Sequence, residues 1–443
     1  MKFLNRNYSL RIAGIFMLAV LFYSCDLSVD NPGSVEDQDL NNPEGIRAVV
    51  NGVQGDFANA TTTPGGGGIY TSGALLSDEL VHCGTWMPIR MLSDGVTINT
   101  EPENQSRWAQ SSRARWTAEN ARTRIENTDG VPNDGEEMAK VTLFAGFANR
   151  MMGDNFCDAV IDGGERQDNS VFHERAVDFF SDAITLADNL GNNQLLNAAY
   201  AGRAQTHMML GNWELAVQDA RQVGTGFRYE QIHSSNSSRE YNGVYRWTGD
   251  GYQTNQTTVW GTPFEEWGNE VNGENEEAEG DPRVSYEMIF DGDEIQLGGD
   301  NDRPLYYTRK YGSLGDNIPI VKGTEMRLIE AEYQIMQGEF EIAIGYMNEV
   351  REYHSNNGTE LDELDPDEYD TADEVWELHM KERGIELWLE GRRVADLRRW
   401  MADDRSVPFQ VIRESDDEMV SVLDVEDMCL AVSSDEEDAN PNL

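Results

Sequence analysis

The chain has 443 residues, with 34 lysines and arginines against 81 aspartates and glutamates, for a formal net charge of -47. A field of that sign repels phosphate backbones and excludes a nucleic-acid binder, while 39% hydrophobic residues suffice for a large core, as one big domain or two intimately packed ones. Only five of the cations are lysine (Lys2, Lys140, Lys310, Lys322 and Lys381), and acid spread along a lysine-poor chain points to a surface adapted to high salt, where a screening length of about 3 Å at 1 M mutes self-repulsion.

Residues 1–24 are expected to be an export signal: Lys2, Arg6 and Arg11 precede an apolar run over 12–23, too short to remain as a bilayer-spanning helix. The run ends at "LFYSC", which resembles a lipobox, the signal for cleavage before Cys25 and acylation of that cysteine; cleavage by the ordinary peptidase is the alternative and leaves Cys25 a plain thiol. More than one acyl chain gives durable anchoring without a transmembrane helix. Residues 25–42 then form a polar, lipidated tether. The remaining cysteines, Cys83, Cys157 and Cys429, have no short metal-type spacing and allow at most one internal pair, which the sequence does not specify.

A helical region is expected over 43–223. Asn42 caps its first helix, Pro43 takes the first helical position, and Ile46, Val49, Val50, Val53 and Phe57 follow at helical spacing. "TTTPGGGG" (61–68) interrupts it; without a Gly-Lys-Ser/Thr ending and a preceding strand it is a loop and no phosphate cradle. A mostly apolar helix resumes over 69–81, and further helices are predicted over 107–127, 136–152 and 172–190. The last carries an apolar stripe of Ala176, Phe179, Phe180, Ala183, Ile184, Ala187 and Leu190. "AQTHMMLGNWELAVQDA" (204–220) and "AEYQIMQGEFEIAIGYM" (331–347) align in register at Ala204, Gly211, Trp213 and Ala216 and at Ala331, Gly338, Phe340 and Ala343. This is tetratricopeptide grammar: small residues let two antiparallel helices approach, glycine turns the chain, and the aromatic fills the gap.

Residues 224–314 read as a loop-rich aromatic insertion with little helical period, holding Tyr241, Tyr245, Trp247, Tyr252, Trp260, Phe264 and Trp267. Long loops on rigid scaffolds usually carry binding, and this many aromatics argue against disorder. Helices return over 315–430, and 431–443 reads as an acidic tail. Within the returning helices "ERGIELWLEGRRVADLRRW" (382–400), read as one helix, sets Arg383, Arg392, Arg393, Arg398 and Arg399 beside Glu382, Glu386, Glu390 and Asp396, with Ile385, Leu389 and Leu397 as apolar contacts and Trp388 and Trp400 as fillers. Pairing of that density fixes geometry even where desolvation consumes most of its energy.

The segment looks like the C-terminal signature of the SusD/RagB family of outer-membrane nutrient-binding lipoproteins, through its Glu-Arg, Glu-Leu, Glu-Gly-Arg-Arg, Asp-Leu and Arg-Trp pairs. "GDPR" (280–283), the Arg-Leu-x-x-Ala-Glu helix that begins at Arg327, and the lipobox with its tether resemble the same family. The resemblance implies a mostly α fold, a tetratricopeptide-like helical-repeat scaffold with long irregular binding loops, and partnership with a SusC-type TonB-dependent transporter in the outer membrane. It makes the signature architectural and carries over no ligand residue.

No His-Glu-x-x-His, no Gly-x-Ser-x-Gly elbow and no EF-hand spacing in the acid-rich 291–302 stretch supports an enzyme or a metal site, so no catalytic residue, cofactor or metal is assigned. Sugars stack apolar faces on aromatic rings and bond hydroxyls to polar neighbours, so Trp86, Trp247, Tyr252, Trp260 and Trp267 are the candidate ligand-binding residues. The expected function is capture of an oligosaccharide, or a peptide; a secreted helical glycosidase and a structural repeat adaptor are the alternatives. If the acid excess is an adapted surface rather than a disordered tail, the thermal midpoint rises from low to molar NaCl in a calorimetric scan, and a flat or falling curve contradicts it.

Overall fold

The computed structural model describes residues 37–62, 68–249, 255–271, 280–412, 419–422 and 428–443. The export segment, Cys25, most of the tether and Tyr252 lie outside these. Two compact units divide the chain after Leu40, and in the first Asp37–Leu40 form one 3-10 turn. Among the described residues no helix is long and apolar enough to cross a membrane.

The second unit opens with helix α1 (Pro43–Thr62), whose start follows its cap: Gly45 N–H donates to Asn42 Oδ1 at 2.9 Å. Ile46, Val50, Val53 and Phe57 form its buried stripe. After α2 (Ile69–Leu76), β1 (Val81–His82) and α3 (Met87–Ser93) comes α4 (Pro102–Glu126), capped by the Glu101 carboxylate, which accepts from Glu103 and Asn104 N–H. α5 (Glu136–Asn155) is buried almost throughout, because α4, α1 and the later α6 (Ser170–Leu190) all pack on it; the antiparallel pair β2 (Asp158–Ala159) and β3 (Gln167–Asp168) lies between α5 and α6 in the chain.

The predicted repeat is present. α7 (Asn193–Met209) and α8 (Trp213–Ala220) form one helical hairpin, and α11 (Gly323–Gln337) and α12 (Phe340–Asn356) another. Gly211 and Gly338 turn the two chains at φ 73° and 78°, backbone that side-chain-bearing residues rarely adopt. Ala204, Ala216, Ala331 and Ala343 are fully buried where the helices meet. The 224–314 region is not bare loop: it holds β4 (Arg228–Gln231), α9 (Gly243–Thr248), β5 (Thr257–Thr258), α10 (Pro263–Trp267) and a three-stranded sheet in the order β10 (Tyr306–Thr308), β7 (Asp281–Met288), β6 (Gly268–Glu270). β4 pairs antiparallel with β11 (Ile318–Lys322), tying this region to the second hairpin.

The 382–400 segment is two helices, not one. α13 (Ala372–Glu386) ends, the chain bends through 387–392, and α14 (Arg393–Ala402) follows. Leu389 sits at φ 56° and Gly391 at φ 72°, with Leu389 N–H donating to Glu79 Oε1 at 2.6 Å. A Cβ on Gly391 would run into the Tyr70 ring. Ile385, Trp388, Leu389, Leu397 and Trp400 are all buried, so the apolar residues keep their core role across the bend.

The acidic end is not a loose tail. Ser433 caps a short helix (Ser434–Ala439), Asn99 Nδ2 and Arg166 Nη2 bond Glu437 at 2.8 and 2.6 Å, and Asn440 Nδ2 reaches Gly164 O at 2.8 Å. The internal pair left open by the sequence is the Cys157–Cys429 disulfide, which joins the end of α5 to this segment, while Cys83 is a buried thiol.

The signature arginines reach in several directions from the bend. Arg393 is bidentate to Asp78, at 2.7 and 2.6 Å, and donates to Met380 O at 3.0 Å. Arg383 bonds Asp396 at 2.7 Å and Glu325 at 3.3 Å, and Arg399 bonds Glu332 at 2.9 Å and Asp396 at 3.1 Å. Arg392 donates to Ile320 O on β11, and Arg398 to Asp154 O at 3.0 Å on α5. The acids of the segment face cations from elsewhere: Glu382 meets Arg283 and Arg351, Glu386 meets Lys322 and His354, and Glu390 meets Lys310 and Lys322, all within 3.0 Å. "GDPR" and the signature are thus one device, Arg283 bridging Asp281 at 2.6 Å and Glu382 at 2.7 Å. Burial pushes the Glu386 carboxyl up, but Lys322, His354 and Arg283 outweigh it and hold the group well below the usual carboxylate range.

Glu79 is the contrast. Burial raises its pKa to about 8, with Asp78 adding to the effect and the Leu389 N–H and Arg393 opposing it. Its folded pKa lies above its unfolded one, so the stability present below about 4.5 is lost as pH rises toward 8. Glu79→Gln keeps an acceptor for Leu389 and cannot ionise, so the variant should gain stability relative to the parent between pH 5 and pH 8, read from urea midpoints at both values. Arg393→Met strands the buried Asp78 carboxylate and should cost about 3–5 kcal/mol in the same measurement. Arg393→Lys should not restore it, because an ammonium cannot make the paired contact.

Candidate functional site

The aromatic candidates are placed by a small framework. β1 and β5 pair antiparallel, Val81 opposite Thr258 and His82 opposite Thr257. Four residues beyond β1, Trp86 occupies the position before α3, where Pro88 favours the first turn. Trp86 N–H donates to Gln256 Oε1 at 3.2 Å, Cys83 N–H to Gln256 O at 2.9 Å and Asp300 N–H to Cys83 O at 3.0 Å. The 255–256 and 298–300 segments therefore clamp the Trp86 loop from two directions.

Trp247, on α9, is the support. Its ring centroid lies 5.5 Å from that of Trp86 with the planes 33° apart, and it is only 2% exposed. Thr257 Oγ1 donates to Trp247 O at 2.7 Å, fixing α9 to β5. The outcome is a shelf: the inner indole is sealed, the outer one is half-buried, and Met87 beside it is 58% exposed. An aromatic pair at this spacing contributes about 0.5–1.5 kcal/mol beyond burial and holds the outer ring in place. Asn255, Gln256 and Asp300, on the segments that clamp the Trp86 loop, were not singled out in the sequence, where nothing local marks them. Beneath the shelf, burial lowers the His82 pKa to about 4 against the opposing charge of Asp300, leaving a neutral imidazole at pH 7.

The five aromatics do not converge. Trp260 N–H bonds Thr258 Oγ1 at 3.1 Å, and because β1 and β5 are antiparallel Trp260 leaves the pair at the end opposite Trp86. It is half-buried. Trp267, 7% exposed, is wedged between Phe264 at 4.9 Å and Phe409 at 4.8 Å, with the Arg393 guanidinium 5.8 Å and the Lys381 ammonium 6.0 Å from its ring. It borders a cavity of about 520 Å³ shared with Asn269, Arg351, Tyr369, Lys381 and Glu382. Trp247 and Trp267 thus hold the body together, Trp86 and Trp260 have ring surface to offer, and Tyr252 lies outside the described residues.

The acid-rich 291–302 stretch forms a hairpin of β8 (Phe290–Asp291) and β9 (Glu294–Ile295), followed by a turn in which Asp300 pairs with Arg303 at 3.1 Å. Among the described residues no three histidine, cysteine, aspartate or glutamate side chains are grouped to hold a metal ion.

Residues 246–426 match the model of the SusD family. Among curated proteins no relative matches by sequence. Among solved structures, a SusD-like carbohydrate binding protein from Bacteroides fragilis is 13% identical with a TM-score of 0.67, over 91% of this chain and 99% of that one. A SusD superfamily protein from Bacteroides vulgatus is 16% identical with a TM-score of 0.61, over 90% and 97%, and one from Bacteroides thetaiotaomicron is 14% identical with a TM-score of 0.61, over 83% and 92%. Residues 246–426 carry the sequence pattern of the SusD family, and most of the chain carries the SusD fold.

Proposed function

We propose that this chain is a binding protein of the outer-membrane surface, anchored through lipid on Cys25, that captures an uncharged oligosaccharide and passes it to a SusC-type TonB-dependent transporter. The observation that carries the reading is the Trp86 shelf: a half-buried indole backed by the sealed Trp247 and held by the polar 255–256 and 298–300 segments. Such a surface offers a π-face to a sugar ring and side-chain acceptors and donors to its hydroxyls. Trp260 and the Trp267 cavity are further surfaces that a long glycan reaches from the same body. The family match supports capture and delivery, and the B. fragilis structure is itself described as a carbohydrate binding protein. The role is binding without turnover, and the acid-rich surface suits it to a saline medium.

The test is a calorimetric and tryptophan-fluorescence titration of residues 26–443 in molar NaCl against soluble neutral oligosaccharides and short peptides, with products assayed in the same tubes. Saturable oligosaccharide binding without product is expected, weakened about tenfold by Trp86→Ala, the loss of roughly one good stacking contact. Release of shortened glycans makes the protein a hydrolase instead, and binding of peptides alone changes the ligand class.

A further inference from the structure

A second cavity, of about 490 Å³, shares no residue with the Trp86 shelf; it opens where α1, the start of α7, α5 and β4 meet. Its volume falls in the roughly 300–1,000 Å³ range of small-ligand pockets. Five amide side chains line it: Asn51, Gln54, Asn192, Gln194 and Gln231. The charged residues of the wall are matched among themselves, Lys140 Nζ with Glu136 at 2.6 Å and Arg228 Nη2 with Glu230 at 2.8 Å. In a chain of net charge -47 this is an electrically balanced wall whose remaining polar groups are neutral donors and acceptors.

Two of those amides are already half-committed. Gln231 is 3% exposed; its Oε1 accepts the Thr61 hydroxyl at 2.8 Å, and its Nε2 has no hydrogen-bond partner among the described residues. Asn192 Oδ1 accepts Leu195 N–H at 3.1 Å as the cap of α7. Gln231 Nε2 is thus a buried donor left unmade, an unfavourable state that a bonded ligand hydroxyl relieves, while Asn192 uses its oxygen in the cap. The floor is apolar. Tyr229 and Phe144 lie with ring centroids 6.3 Å apart, Tyr229 stacks on Phe147, and Ile232, 69% exposed, forms the lip.

We propose that this cavity is a second binding site, for one uncharged sugar residue, separate from the Trp86 shelf. A pyranose matches the wall chemically: its C–H face covers Tyr229, Phe144 and Ile232, and its hydroxyls donate to and accept from the amides. An anionic sugar finds no unpaired cation there, and a cationic ligand no unpaired acid. The site rests on the glycan-capture reading and extends it from one contact to two, so that a long chain gains avidity from simultaneous engagement.

The test uses neutral hexasaccharides of the gluco, manno and xylo series, titrated calorimetrically into the Trp86→Ala protein and into the same protein carrying Gln54→Ala and Gln194→Ala as well. Both glutamines are at the cavity mouth, so the fold is expected to survive, which the thermal midpoint verifies. Saturable binding should persist in the first protein and fall about tenfold in the second, and a hexauronate should bind neither. Residual binding insensitive to the two glutamine changes overturns the second site, as does its equal response to trialanine or the hexauronate. Parental binding that vanishes wholly with Trp86→Ala overturns the second site and leaves the capture reading intact. Absence of any binding to the parent protein removes both.

Discussion

Several parts of the second unit are tied together by the buried ion pairs that radiate from the bend at 387–392. The bend is where five segments distant in sequence meet: Asp78, with the hydrogen-bonded Glu79, after α2, Lys310 and Lys322 before α11, Glu325 and Glu332 on α11, Arg283 on β7, and the ends of α13 and α14. Each charge is desolvated, so removing one partner costs far more than the pair itself contributes, and the network specifies one arrangement more strongly than it stabilises it. Glu332 shows the density of these contacts: it takes Arg399, lies 3.2 Å from His379 Nε2 and accepts Trp400 Nε1–H at 3.1 Å, with its pKa held well below the ordinary range because Arg399 and His379 outweigh the effect of burial.

The same division explains the composition. Buried pairs are screened little by salt, whereas exposed acids repel one another over a distance that molar salt shortens to about 3 Å. A protein can then carry a net charge of -47 while most of its buried charges are paired, provided the medium is saline. The proposed binding surfaces draw on other groups. The Trp86 shelf stands on short elements clamped by backbone hydrogen bonds, and the amide cavity is lined by α1, α5, the start of α7 and β4, with Arg228 of its wall also within the field of Glu390 at the bend.

How far the sequence disclosed this depends on whether the cause is local. The helices of 43–223 and the two repeat hairpins were legible because apolar period, Asn42 and the glycines at 211 and 338 act within one turn of themselves. The break inside 382–400 was not, since its apolar spacing suits either one helix or two, and the left-handed Leu389 is held by Glu79, 310 residues away in sequence. The folded acidic end was hidden for the same reason: its partners are Asn99, Arg166 and the disulfide to Cys157. Among the tryptophans, composition marks the region but not the exposure, because Trp247 is sealed by Trp86 and Trp267 by Phe409, both distant in sequence. Amides carry even less signal, and the cavity they line is assembled from four elements.

The measurement that bears most directly on the central role of the network is a double-mutant cycle across Arg399 and Glu332, with Arg399→Met, Glu332→Gln and the double variant compared by urea unfolding in molar NaCl. The account predicts that the two changes are strongly non-additive, with a coupling energy of about 1–3 kcal/mol that persists at high salt. Additive effects within about 0.5 kcal/mol, or coupling that salt abolishes, would contradict it and place these charges among the screened surface pairs.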